Sequence, residues 1–239
     1  MIRGMYTAAT GMVAELHRQD VIANNLANVD TVGFKGDYTV SVPFGEMLLN
    51  AYNRQGVRPV GGLGLGVQAT SEYIDTSEGS LVETGIMYDL AIGGQGYFVV
   101  ETPAGERYTR AGNFKVDAEG YLTTRNGWRV LGENGPIQVT GRFEVNQDGE
   151  IFIDGVMADR LRIVNPYGLR KEGESLLTAT GINPANGIQI FQGTVERSNV
   201  NAIRQMIEMI NVTRSYETNQ RALTAHDETL GKAVNEIAR

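Results

Sequence analysis

The sequence predicts an α+β protein: long N- and C-terminal helices forming a coiled-coil domain, with a central all-β domain between them. Three observations carry this. From Asn201 onward there is no Pro, and no Gly before Gly231, in a chain that holds 30 Gly and 6 Pro. In that stretch Met209, Tyr216, Leu223, Leu230 and Ile237 recur every seven residues. The middle of the chain instead breaks into short β-branched and aromatic runs separated by Asn-Gly and Asp-Gly turns.

The C-terminal helix comes first because its pattern is longest. A second row, three residues earlier each time, reads Met206, Thr213, Gln220, Asp227 and Val234. Steps of three and four keep a seam on one side of a slightly underwound helix. At 1.5 Å per residue such a helix is roughly 57 Å long. A helix of that length cannot bury its own seam, so it needs a partner. The N-terminus supplies one: Ile2, Met5, Ala9, Met12, Leu16, Gln19, Ala23 and Leu26 step by three and four without a break. Two packings are open, a pair of helices resting on one globular core or a coiled coil of the two chain ends. The polar seam residues Gln19, Thr213, Gln220 and Asp227 suit the second, since polar residues in a seam can fix register and partner number at a cost in stability.

Charge separates the ends from the middle. Residues 1–29 hold Arg3 and Arg18 against Glu15 and Asp20. Residues 200–239 hold Arg204, Arg214, Arg221, Lys232 and Arg239 against Glu208, Glu217, Asp227, Glu228 and Glu236. Both ends are neutral, so the net charge of −7 falls between them. Neutral helices can crowd together without repulsion while an acidic remainder favours solubility. The same balance argues against nucleic acid, which needs a basic footprint.

Composition sets the outer limits. Hydrophobic residues at 41% and charged residues at 21% are those of a folded chain. Cysteine is absent, which excludes disulfides, thiolate metal sites and a thiol nucleophile. No run of eighteen apolar residues occurs, so no membrane-inserted helix is expected. Glu15 and His17 interrupt the opening residues where a cleaved secretory signal would be apolar, so any export is expected to proceed without one.

The first helix ends in Ala23-Asn24-Asn25-Leu26-Ala27-Asn28-Val29, followed by Asp30-Thr31-Val32-Gly33-Phe34-Lys35. Asn is a poor residue inside a helix because its amide competes for backbone bonds. Three in five positions therefore serve either a fraying, capped helix end or bonds to the other helix or to a neighbouring subunit. Gly33 suits a turn with positive φ, and Phe34 reads as the anchor that pins it. Residues 37–75 connect this turn to the middle. Gly56, Pro59, Gly61, Gly62, Gly64 and Gly66 argue against a regular helix there, and Leu63, Leu65 and Val67 alternate with Gly as a strand could. The expected strands of the middle are Leu90–Ile92, Tyr97–Val100, Asn113–Val116, Arg129–Leu131, Arg142–Val145 and Glu150–Ile153, which suggest a sandwich or barrel with Tyr97, Phe114 and Trp128 in its core.

Catalytic patterns are weak. His17 and His226 are the only histidines and have no acid or nucleophile at triad spacing. Asp117-Ala118-Glu119-Gly120 and Asp148-Gly149-Glu150 lack the ligand spacing of a calcium loop and read as turns. Gly93-Gly94-Gln95-Gly96 lacks the Lys-Ser/Thr of a phosphate loop. No enzyme activity, metal or cofactor is expected.

At residues 23–35 the sequence resembles the N-terminal signature of the bacterial flagellar rod and hook proteins. Glu196-Arg197-Ser198-Asn199-Val200-Asn201 is similar to that family's second signature, and Gly94-Gln95-Gly96-Tyr97-Phe98 and Tyr108-Thr109-Arg110-Ala111-Gly112-Asn113-Phe114 match between them. The resemblance implies a structural subunit of the basal-body rod, assembled helically through its termini into part of the axial drive shaft and export channel, with a β-rich domain projecting outward. It implies partners among copies of itself, other rod or hook subunits and the flagellar export apparatus, and a place in the cell envelope. Gly127-Trp128-Arg129-Val130-Leu131-Gly132-Glu133-Asn134-Gly135-Pro136-Ile137 and the opening Met5-Tyr6-Thr7-Ala8 resemble the proximal-rod type. Met1-Ile2-Arg3 and the Asn24-Asn25 pair look more like the distal-rod type, and the balance favours the proximal.

The expected division is 1–36 with 199–239 as the helical domain, 37–75 with 186–198 as extended linkers, and 76–185 as the β domain. The expected assembly interface takes Met5, Met12, Leu16, Leu26, Met209, Tyr216, Leu223 and Leu230 from the seams. The signatures add Asn24, Asn25, Asn28, Gly33, Phe34, Ser198, Asn199 and Asn201. The readings from other classes are a secreted β-domain carbohydrate-binding module or hydrolase, which leaves both helices unexplained, and a coiled-coil adaptor, which leaves the β domain unexplained.

Overall fold

A computed structural model describes residues 2–43, 45–53, 56–64, 66–173, 175–185 and 187–237. The chain divides into two compact units. One comprises Met1–Leu26, Asp37–Tyr73 and Ala202–Arg239, the other Ala27–Gly36 and Ile74–Asn201.

The first unit contains helix α1, Ile2–Ala27, and helix α2, Ala202–Ile237. They approach closely at two positions where α1 has no side chain. A Cβ on Gly4 would lie 2.7 Å from His226 Nε2, and one on Gly11 would lie 3.0 Å from Asn219 Nδ2. Seven residues forward on α1 correspond to seven backward on α2, so the two run antiparallel. On α2 the row Met209, Tyr216, Leu223, Leu230 is half-buried as expected, whereas Ile237 lies beyond the described side chains. The second expected row is exposed throughout: Met206, Thr213, Gln220, Asp227 and Val234 all face outward. The companion row lies three residues later instead, at Val212, Asn219, His226 and Ala233.

The expected coiled-coil domain is thereby corrected: the helices stand at the two ends of the chain with a large β-rich region between them in sequence, and no long coiled coil is evident among the described residues. The physical reason lies in the contact residues. A knobs-into-holes seam needs large apolar side chains from both helices, yet here glycines of α1 receive an imidazole and an amide. The buried positions of α1 include the small Ala8 and Ala14 beside Val21, Ile22 and Asn25, whereas Leu16, expected in the seam, is 44% exposed.

The other flank of α1 is taken by strand. Asp37–Pro43 pairs with Val67–Ile74, and Tyr38 stacks on Tyr73 with ring centroids 5.6 Å apart. The Val67 N–H donates to Thr10 Oγ1 at 3.4 Å, and His17 Nε2 lies 3.4 Å from Glu72 Oε1. Glu46–Asn53 and Gly56–Gly64 form an antiparallel ladder from Glu46↔Gly64 to Asn53↔Gly56, with a register shift between Leu49 and Asn50. Residues 37–75, read from sequence as a connecting segment, thus carry four strands; Leu65 lies outside the described residues. None of the described helices is long and apolar enough to cross a membrane.

The second unit is β throughout. All six expected strands are present, as Leu90–Gly93, Tyr97–Thr102, Lys115–Val116, Arg129–Val130, Phe143–Val145 and Glu150–Ile153. Tyr97–Thr102 is the hub of a nine-stranded sheet, pairing with Gly105–Thr109, Arg129–Val130 and Ile163–Tyr167. Phe143–Val145, Glu150–Ile153 and Val156–Arg160 form a separate three-stranded sheet. Leu90, Phe98, Leu122, Val130, Phe143 and Ile151 build the main core, with Phe98 and Phe114 edge-to-face at 5.1 Å. Phe114 and Tyr97 are buried, and Trp128 is half-buried against the core. The Asn126-Gly127 turn places Gly127 at φ 86°, where a side chain is disfavoured. Asp117 Oδ1 accepts from the N–H groups of Glu119 and Tyr121 at 2.9 and 2.8 Å, the turn role expected of that carboxylate.

Candidate functional site

The two terminal signatures meet inside the second unit, at a carboxylate that sequence reading did not single out. Glu196 ends the strand Thr194–Glu196 and is 1% exposed. Its Oε1 accepts from Lys35 Nζ at 2.6 Å and from the Gly79 N–H at 2.8 Å; its Oε2 accepts from Arg110 Nη1 at 3.0 Å. Each partner belongs to a different stretch of the chain, and Lys35 and Arg110 fall within the matched motifs. Lys35 Nζ also donates to Ser77 O at 2.6 Å. Arg110 donates to the carbonyls of Ile92 (2.9 Å) and Gly94 and lies over the Tyr97 ring.

Two buried cations thus share one buried anion. Charge-assisted bonds of this kind are strong, but desolvation opposes them. Burial pushes Lys35 below the usual lysine range; Glu196 works against that shift and Arg110 adds to it. Burial likewise raises the Tyr97 phenol above its ordinary value.

Backbone geometry locks the same junction. The Gly33 N–H donates to Glu196 O at 2.7 Å. Gly33 has φ 67°, and a Cβ there would lie 2.2 Å from Ala111 N. Phe34 is buried beneath the Lys171 ammonium, which sits 3.9 Å from its ring centroid. Asn199 spans the junction: its Oδ1 accepts from the Gly36 N–H at 2.8 Å, and its Nδ2 donates to Asp75 O at 2.9 Å. Arg197 Nη2 donates to Asp30 Oδ1 at 2.8 Å, and Ser198 Oγ accepts from the Val200 N–H.

Gly33, Phe34, Ser198 and Asn199 are therefore gathered in one place. Asn25, in the other unit, makes a reciprocal pair with Asp37, its Nδ2 donating to Asp37 O at 2.7 Å and its Oδ1 accepting from Asp37 N at 2.9 Å. Asn28 Oδ1 accepts from Thr31 Oγ1 at the helix end. Asn24 and Asn201 are exposed, and Met5, Met12 and Leu26 are half-buried along α1. Replacing Asn25 by Ala removes both bonds to Asp37, at an expected cost of about 1–2 kcal/mol. Faster amide hydrogen exchange at Asp37 checks it.

Lys35, Arg110 and Glu196 were missed as a set because they are far apart in sequence. The available signal was that three of the four matched motifs carry charged residues, among them Lys35, Arg110 and Glu196. Among the described residues no group of three or more His, Asp or Glu side chains gathers as metal ligands would. His17 lies against Glu72, and the His226 imidazole occupies space that a Cβ on Gly4 would fill.

Comparison with known proteins agrees with this layout. Residues 5–35 match the family model described as flagella basal body rod protein, residues 91–153 the flagellar hook protein FlgE/F/G D1 domain, and residues 192–236 the flagellar basal body rod FlgEFG protein C-terminal model. The flagellar basal-body rod protein FlgG of Bacillus subtilis is 35% identical, the alignment covering 98% of this chain and 99% of that protein. FlgG of Borreliella burgdorferi is 32% identical with 98% of each chain covered, and FlgF of Caulobacter vibrioides is 32% identical over 100% of this chain and 99% of its own. With both termini and the body between them matched in order, the chain belongs to the flagellar basal-body rod protein family and is a structural component of the flagellar basal body.

Proposed function

We propose that this subunit builds the rod by associating with copies of itself and with neighbouring rod or hook subunits through residues 1–36 and 199–239. In this reading 37–75 and 186–198 link those ends to a β domain at 76–185, and the subunit reaches its place through the flagellar export apparatus. It works as a non-catalytic, load-carrying part. The observation that carries the reading is the run of exposed apolar residues opening α2, where Ile203 is 71% exposed, Ile207 55%, Ile210 52% and Met206 51%. Four such side chains on one short stretch of helix are what an interface covers, not what a solitary chain leaves in water. The seam and signature residues named above supply the rest of that interface. A proximal position rests on the Gly127–Ile137 run and on Met5-Tyr6-Thr7-Ala8, since relatives of the FlgF and FlgG kinds match at similar identity.

The test is Leu223→Asp, at a half-buried position of α2. The charge costs several kcal/mol once the seam is covered. The variant is expected to be missing from purified basal bodies and to abolish motility. Its β body should remain folded, as read by fluorescence of Trp128, the chain's only tryptophan. Rods that carry the variant at wild-type level would remove the seam from the interface.

A further inference from the structure

A groove of about 570 Å³ runs along α1, lined by Tyr6, Val13, Ala14, His17, Val67 and Gln68. Its lining is mainly apolar, and Tyr6 and Val13 are 54% and 66% exposed. We propose that this groove receives the Ile203/Ile207/Ile210 strip of α2 from a second copy of the chain. The proposal rests on the rod-subunit reading and adds to it which face meets which.

Three features point to a second copy rather than an unrelated partner. First, the chain carries both halves of the match, a concave apolar lining and a convex apolar strip at i, i+4, i+7 spacing, which lies on one helix face. Second, the net charge of −7 makes most approaches between identical chains repulsive, and the strip and most of the groove lining lie on the two neutral ends. Third, border charges are already engaged within each face, with Glu72 Oε1 3.4 Å from His17 Nε2 at the groove and Arg204 Nε 3.5 Å from Glu208 Oε1 beside the strip, so the contact is apolar against apolar. Groove and strip are different surfaces, so the contact is heterologous. A heterologous contact that does not close generates an open helical array, whereas a self-complementary patch would stop at a dimer.

The native chain has no cysteine, which gives a clean background for cross-linking. Two full-length variants, Val13→Cys and Ile207→Cys, are co-expressed in flagellated cells and their basal bodies oxidised. A disulfide-linked dimer is expected from the mixture, with at least a tenfold lower yield from either variant alone. Rods that contain both variants at wild-type level without a mixed dimer overturn the proposal. So does equal dimer from one variant alone, which marks a self-facing patch. Exclusion of both folded variants from rods that accept the wild-type chain supports it, because these side chains are more than half exposed and otherwise replaceable. Absence of the wild-type chain itself from basal bodies would instead remove the rod-subunit reading on which the proposal stands.

Discussion

Glu196→Gln is expected to destabilise the β body by about 3–5 kcal/mol, because it leaves Lys35 and Arg110 buried side by side without an anion. The measurement is a urea titration followed by Trp128 fluorescence. Lys35→Met should cost far less, since Glu196 keeps Arg110. The double variant should be more stable than Glu196→Gln alone, and this non-additivity separates lost charge pairing from lost packing. The pH response has a definite sign. The folded pKa of Lys35 lies below its unfolded value of 10.5. Between those two values the unfolded chain binds more protons, so the Lys35 contribution to stability rises with pH. Removing Glu196 takes away an interaction that raises this pKa. The window therefore widens downward, and Glu196→Gln should recover part of its loss on mild alkalinisation, more than the wild type gains. A variant that unfolds at the wild-type urea midpoint would show that the carboxylate is not holding the two cations.

Gly33→Ala is the second large effect, expected at about 3–5 kcal/mol. Two costs combine. The left-handed backbone alone costs an alanine roughly 1–2 kcal/mol, and the added methyl would overlap Ala111 N and Arg110 C, which are backbone and cannot swing aside. Gly127→Ala separates the two: its φ is 86°, but among the described residues nothing lies within 4 Å of the methyl it would gain. The Gly127 variant should therefore lose only the first cost. Equal losses at both sites would show that close approach at Gly33 contributes nothing.

The β body was legible because its signals are local. Each short strand is announced by its own aromatic or β-branched run and its own glycine turn, and all six expected strands are present. Phe34 and Gly33 were legible for the same reason. The helices were half legible. Met209, Tyr216, Leu223 and Leu230 repeat as large apolar residues, and they do share the covered face. The companion row could not be placed, since periodicity allows it three residues before or three residues after. Met206 and Val234 made the wrong side look more apolar, whereas the true side holds Asn219 and His226. Those polar residues are accepted only because Gly4 and Gly11 stand opposite, a fact that belongs to the other helix. The Lys35–Glu196–Arg110 set was hidden more deeply. A buried ion cluster needs each charge to find its partner through the fold, and nothing in the spacing of 35, 110 and 196 encodes that.

The meeting of residues 30–36 with 196–199 makes the intervening chain a closed excursion that leaves and returns at one point. Its mechanical meaning is a bypass. Tension entering at the end of α1 can cross directly to the start of α2 through Gly33–Glu196, Lys35–Glu196, Gly36–Asn199 and Asp30–Arg197. The strands between are then spared the pull.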